Sequence, residues 1–257
     1  MTQRFFVQPG AIAQGEVVVA GPQAHQIIAV LRMKVGDRCF VLDNTGWQYE
    51  VEVAEVHSGE VRAKVLSRSL VTTEPRTKIT IYQGLLKADR FEHVLQKGTE
   101  LGVVAFVPTL CDRSVVGSLD DSRSSKLARW ERIIAEAAEQ SGRGKLPVLQ
   151  AAAVFPQACS QARGISLIPW EEESAQRLRD ALRHLALDGS SEARGARPRP
   201  FAVNLFIGPE GGFTPDEIET ARRYGIVPVT LGPRILRAET AAIAAASAVL
   251  YELGDLG

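Results

Sequence analysis

The spacing of apolar residues changes character once along the chain. Before Val71 it comes in short, partly alternating runs: Glu16–Ala20, Cys39–Leu42, Trp47–Val56 and Val61–Leu66. These are rich in valine and have the period of half-buried strands. Asn44-Thr45-Gly46 and His57-Ser58-Gly59 supply turns between them. His25–Met33, with Ile27, Ile28, Val30 and Leu31 apolar, predicts one amphipathic helix, and Val35-Gly36-Asp37 turns into the next strand. A compact β-barrel with one helix follows from this pattern. From Ile79 onward, continuous apolar runs of strand length alternate with helical periodicity.

Ile79–Leu85 reads as a strand. The helix after Lys87-Ala88-Asp89-Arg90 carries Phe91, Val94, Leu95 and Leu101 on one face and closes at Gly102, with Gly98 inside it. Val103–Val107, Pro147–Leu149 and Ile165–Ile168 read as strands; Ser122–Gln140 and Glu171–Leu187 read as helices. Val203–Ile207 is a buried strand stopped by Gly208-Pro209. Thr214 then caps a helix, with Pro215 at its first position and Glu217 completing a capping box, and Gly225 ends it. Ile226–Leu231 is a further strand, and an Ala-rich helix starts near Thr240. Strands alternating with helices predict a mainly parallel sheet covered on both faces. Val71–Lys78 is the best linker, so the expected domains are residues 1–71 and 72–257. Asp188–Pro200, small, polar and proline-bearing, predicts a surface loop.

Composition narrows the class. A hydrophobic content of 45% and a charged content of 23% are those of a soluble globular protein. The chain has no run long enough for a membrane span and no export signal, which predicts a cytoplasmic protein with no membrane partner. Cys39, Cys111 and Cys159 form neither a disulfide framework nor a metal pattern, and four scattered histidines make no pair, so no metal is expected. Net charge is zero, yet Arg76, Lys78, Lys87, Arg90 and Lys97 outnumber Asp89 and Glu92 locally.

Candidate chemistry concentrates in two Gly-Pro loops, read as following two neighbouring strands at their carboxyl ends, where open α/β sheets bind small ligands. Gly208-Pro209-Glu210-Gly211-Gly212 lacks the Lys-Ser/Thr of a P-loop and fails the GxGxxG fingerprint. No GxSxG elbow is present. What remains is backbone made accessible by glycines, walled by Leu231, Ile235 and Leu236. That suits an uncharged planar group such as adenine.

IGPEGGFTPDE followed by LGPRILRAETAA resembles the signature of the SPOUT class of methyltransferases, and more narrowly the RsmE family of 16S ribosomal RNA uridine-N3 methyltransferases. The likeness extends to Arg4-Phe5-Phe6-Val7, to VLRMKVGD (30–37), to LLKADRFEHVLQKGTELGV (85–103), to Arg113-Ser114 and to EAAEQSGR (136–143). Ala238 stands where the family commonly has Thr, Gly98 where it commonly has Ala, and the region 188–200 is expanded. The resemblance implies a SPOUT-type α/β domain with a C-terminal trefoil knot, preceded by a PUA-like β-barrel. It implies S-adenosylmethionine as cofactor, 16S rRNA of the small ribosomal subunit as partner, and a homodimer.

Carried over residue by residue, it places Pro169, Trp170, Gly208, Gly212, Leu231, Gly232, Ile235, Leu236 and Thr240 at the cofactor. Arg237 is expected to stabilise charge on the uridine carbonyls, with Glu239 or Glu210 accepting the N3 proton. Each glutamate has an alternative structural role, bonding N–H groups of its own loop. Arg4, from the same or the other subunit, joins the catalytic set, and Arg4, Arg32, Lys87, Arg90, Arg113 and Arg143 are expected at the RNA. Three other readings remain open. A ribose 2′-O-methyltransferase of the same class, acting on rRNA or tRNA, usually carries an Asn-containing motif where this chain has Ile235–Thr240. The others are a nucleotide-dependent oxidoreductase and a non-catalytic RNA-binding protein.

Overall fold

The computed structural model of the chain describes residues 3–115, 123–188 and 202–257. Most of the expected loop at 188–200 and the first residue of the helix expected from Ser122 lie outside them. The chain divides into two units, residues 1–74 with 135–146 and residues 75–134 with 147–257. Among the described residues, no helix is long and apolar enough to cross a membrane.

The first unit holds β1 (Arg4–Phe6), β2 (Ile12–Ala13), β3 (Glu16–Ala20), α1 (Pro22–His25), β4 (Arg38–Leu42), β5 (Trp47–His57) and β6 (Glu60–Leu70). They form one sheet in the order β1-β4-β5-β6-β3-β2. All pairings are antiparallel except that of β1, which runs parallel to β4 with Arg4 opposite Phe40. The valines of the alternating runs face inward: Val17, Val19, Val41, Val51, Val53 and Val61 surround Phe5 and Ile27. The helical segment starts earlier than its periodicity indicates, at Pro22. It passes through a π-helical turn at Gln26–Val30 and ends before Arg32, whose φ is +53°. Proline at the first helical position sets that start.

Residues 135–146, the end of a helix that begins in the second unit and the segment after it, build a second, smaller core. Ala138 and Leu146 pack with Phe6, Leu42 and Val71. Glu139 accepts the N–H of Phe6 at 2.9 Å. Burial, reinforced by the neighbouring Glu136, pushes its carboxyl up to about 7 despite that bond. Arg143 is only 3% exposed and donates to Glu74 from Nη2 (2.8 Å) and Nε (3.2 Å). Burial alone would raise the Glu74 carboxyl, but Arg143 and the N–H groups of Gly144 and Lys145 outweigh it and hold it below its ordinary value.

The second unit contains β7 (Lys78–Gly84), α2 (Ala88–Leu101), β8 (Ala105–Leu110) and most of α3 (Arg123–Ser141). There follow β9 (Val148–Leu149), β10 (Ala153–Val154), α4 (Phe155–Gln161), β11 (Ile165–Pro169) and α5 (Leu178–Asp188). The chain ends in β12 (Ala202–Ile207), α6 (Pro215–Arg223), β13 (Val227–Val229) and α7 (Ala238–Glu252). The sheet order is β10-β8-β7-β12-β11-β13, with β9 also paired to β8, and every pairing is parallel. Strand periodicity separates its two faces. Val203, Leu205 and Ile207 join a core with α2, α5 and α7, whereas Phe206 faces a second core built with α4 and α6.

Two expectations change here. The strands before the two Gly-Pro loops are not neighbours, because β11 lies between β12 and β13. The helix expected from Glu171 begins at Leu178, since Glu173 turns back to accept the N–H groups of Ala175 (2.8 Å) and Gln176 (3.0 Å). The helix expected near Thr240 forms, from Ala238. Gly98 has a packing reason: a Cβ there would lie 2.8 Å from the Phe106 ring.

Candidate active site

The carboxyl ends of β11, β12 and β13 open into one cavity of about 1220 Å³. The interposed β11 explains why Pro169 and Trp170 line it together with both Gly-Pro loops. Trp170 Nε1 is buried with no acceptor among the described residues. Glu171 also lines the cavity, its carboxylate lying against the α-carbon of Gly212, where a side chain would sit.

The first loop follows β12, and Gly208 and Gly212 line the cavity. Gly212 has φ +71° and donates its N–H to Pro209 O at 3.0 Å. The capping box at Thr214 forms: Thr214 Oγ1 accepts from Glu217 N (3.2 Å), and Glu217 Oε2 accepts from Thr214 N (2.9 Å). Glu217 is buried, and its other oxygen accepts the N–H of Asp112 at 3.0 Å. Glu210 bonds not the N–H groups of its own loop but the start of α2, accepting the N–H of Lys87 (3.2 Å) and Arg90 Nη1 (3.5 Å). Its Oε2 is buried without a partner among the described residues.

The second loop follows β13. Leu231, Gly232, Ile235, Leu236 and Arg237 all line the cavity. Gly232 has φ +108° and donates its N–H to Thr230 Oγ1 at 3.1 Å. The backbone N–H groups of Leu231, Arg234, Ile235 and Leu236 have no acceptor among the described residues. Ile235 is 90% exposed. Arg237 is the N-cap of α7, and its carbonyl accepts the N–H of Ala241 at 2.8 Å. Ala241, Ala244 and Ala248, on one side of that helix, form a wall of small side chains.

The other expected residues divide. Thr240 is exposed on the first turn of α7 and is not among the lining residues. Glu239 does not line the cavity either, but its Oε2 is buried without a partner among the described residues. Arg4 belongs to the first unit, its guanidinium 5.7 Å from the Phe40 ring centroid and against the backbone of Gly142. Arg32 and Lys87 are exposed, and Arg90 lines the cavity. Arg143 is a correction: its ion pair with Glu74 takes the charge that was expected at RNA. Arg113 lies on an exposed turn with its guanidinium turned onto the first loop.

Sequence reasoning missed Glu171 and Arg234 as lining residues, and Ala241, Ala244 and Ala248 with them. Glu171 was absorbed into a helix that begins seven residues later. The alanines at spacings of three and four were a signal that the last helix keeps one side clear.

The sequence model of an RNA methyltransferase domain matches residues 73–250, which covers the whole cavity. The ribosomal RNA small subunit methyltransferase E of Bacillus subtilis is 34% identical over 236 residues, 91% of this chain and 89% of its own length. The chain belongs to that family. Two solved relatives cover 98% of this chain and are themselves covered to 98%. A methyltransferase of Legionella pneumophila in complex with its cofactor SAM is 30% identical with a TM-score of 0.84. A ribosomal RNA small subunit methyltransferase E of Neisseria gonorrhoeae, bound to S-adenosyl methionine, is 28% identical with a TM-score of 0.81.

Proposed function

We propose that this chain is an S-adenosylmethionine-dependent methyltransferase acting on N3 of one uridine in 16S rRNA of the small ribosomal subunit. The observation that carries the reading is the cavity at the ends of β11, β12 and β13, in a chain whose family has cofactor-bound members matching it end to end. The residues present fit such a cofactor. The unpaired N–H groups of Arg234, Ile235 and Leu236 suit the acceptors of an adenine. Leu231, Leu236 and Ala241 supply apolar surface against a planar ring. When bound, S-adenosylmethionine supplies an electrophilic methyl group on its sulfonium.

The protein's own contribution is placement and charge. The second loop orients cofactor and base together, which lowers the barrier without further chemistry. Uridine N3 must lose its proton, and the Arg237 guanidinium stabilises the negative charge that develops on the flanking carbonyl oxygens. Glu239 or Glu210 receives the N3 proton; Glu210 lines the cavity, whereas Glu239, outside its lining, would have to turn toward it. Lys87, Arg90, Arg32 and Arg4 contact RNA phosphates, with the first unit serving as a PUA-like RNA-holding domain. The C-terminal segment forms the trefoil knot of the SPOUT class, and a second copy of the chain covers the exposed Ile235 in a homodimer.

The test is to incubate small subunits from a strain lacking the endogenous enzyme with this protein and labelled cofactor, then identify the modified nucleoside by mass spectrometry. A methyl on the uridine base is expected; a methyl on ribose would replace this reading with the 2′-O enzyme. Arg237→Ala should lower kcat by about 100-fold with cofactor affinity kept. Near-normal turnover in that variant would remove the electrostatic role.

A further inference from the structure

The glycine loop after β12 is gripped from two sides by residues that do not line the cavity. On one side β7 ends in Gln83-Gly84. Gln83 is fully buried, and its Nε2 donates to Gly84 O (3.2 Å) and Gly208 O (3.3 Å). Gly84 makes room for the loop itself. A Cβ there would lie 2.5 Å from Pro209 N and 2.8 Å from Gly208 C, a collision with main chain that no rotamer relieves. On the other side Arg113 Nη1 donates to Gly211 O (3.1 Å) and Phe213 O (3.4 Å). The approach is again close: a Cβ on Gly211 would lie 2.9 Å from Arg113 Cβ. The turn that carries Arg113 is itself anchored. Asp112 donates its N–H to Glu217 Oε1 (3.0 Å) and accepts from Thr214 Oγ1 (3.3 Å).

We propose that Gln83 and Arg113 are positioning residues of the cofactor loop. They hold the carbonyls of Gly208, Gly211 and Phe213 so that the loop keeps its ligand-accepting shape before any ligand arrives. The charge of Arg113 is therefore committed to the loop and not to an RNA phosphate. This rests on reading the cavity as the cofactor site. The physical gain is preorganisation: a loop already fixed loses less freedom on binding, and bonds from a guanidinium are stronger than neutral ones.

The experiment compares Arg113→Ala, Arg113→Lys and Gln83→Leu with the parent protein. It measures amide hydrogen exchange of the cofactor-free loop, S-adenosylmethionine affinity by calorimetry, and the salt dependence of RNA binding at saturating cofactor. Arg113→Ala is expected to speed exchange of the Gly212 N–H, which bonds Pro209 O, and to weaken cofactor binding about tenfold. Its RNA salt slope should not change. Arg113→Lys, which keeps one donor, should recover part of the affinity.

Unchanged loop exchange in Arg113→Ala overturns the proposal, and so does faster exchange with unchanged cofactor affinity. A salt slope reduced by about one makes Arg113 a phosphate contact and also overturns it. Gln83→Leu should act on the loop alone; exchange that quickens uniformly over the whole parallel sheet overturns a local role for Gln83. If the parent protein binds no S-adenosylmethionine, the cofactor reading fails. The exchange arm on cofactor-free protein still decides whether the clamp exists.

Discussion

The two loops that wall the cavity begin alike in sequence, Gly-Pro after an apolar strand, and are held in opposite ways. The first, Gly208–Phe213, has its carbonyls bonded by Gln83 and Arg113 and leads into a helix closed by a capping box. The second, Leu231–Arg237, leaves the N–H groups of five residues, Arg237 included, without acceptors among the described residues and leads into a helix whose N-cap makes no side-chain bond. Side chains from elsewhere take carbonyls of the first loop. The second has no such clamp, and both loops, the first through Glu210, Gly211 and Phe213, keep backbone donors that a ligand can complete. Buried donors without acceptors are costly, whereas donors facing a cavity are not.

The contrast predicts unequal responses to substitution. Gly84→Ala should have the largest effect, about 3 kcal/mol of stability, because the collision is with backbone of the bonded loop. Denaturant unfolding measures it, and a loss below about 1 kcal/mol would show that the first loop is not tightly held. A pH-dependent background from the first unit must be separated from this. The Glu139 carboxyl keeps its proton up to about 7 when folded, against an ordinary 4.5. Between those values the folded state binds more protons than the unfolded chain, so stability falls as pH rises through that window. The loss is about 2 kcal/mol after allowing for partial exposure. Glu139→Gln, which can still accept from Phe6 N–H, should flatten the stability profile over that range.

Gly232→Ala probes the second loop. Nothing lies within 4 Å of a Cβ there, so only the φ of +108° resists the change. About 1–2 kcal/mol is expected, smaller than at Gly84 and visible as a modest shift in melting temperature. Ile235→Ser should be smallest in the isolated chain, within about 0.5 kcal/mol, because the side chain packs on nothing there; a larger loss that depends on protein concentration would come from the homodimer. The same variant should reduce the thermal shift produced by S-adenosylmethionine. An unchanged shift would mean that the second loop's apolar tip takes no part in binding.

What could be read in advance follows the range of the forces involved. The capping box needs only Thr214, Pro215 and Glu217, three neighbours whose chemistry decides the outcome locally, and it formed as read. Position of β11 between β12 and β13 depends on pairing between segments far apart in sequence, which no local pattern encodes. The consequence was that Trp170 came to notice by family likeness, while its neighbour Glu171 was lost in a helical reading. Arg143 failed for the same reason: its partner Glu74 is distant in sequence, and a basic residue in a polar stretch looks solvent-facing until the pair is seen. β1 was missed because three residues carry too little periodicity; its parallel register with β4 supplies the missing constraint.

The helix α3 begins in one unit and ends in the other, and this has a consequence for how the chain is made. When Glu74 leaves the ribosome, the first sheet has all its strands but lacks Ala138 and Leu146 from one of its cores and Arg143 from its buried ion pair. Those arrive only with residues 135–146, after β7, α2 and β8 of the second unit have been synthesised. Domains ordinarily mature one by one from the amino end. Here the earlier-made unit must wait for part of the later one, so the nascent chain carries an unfinished apolar surface past its first linker.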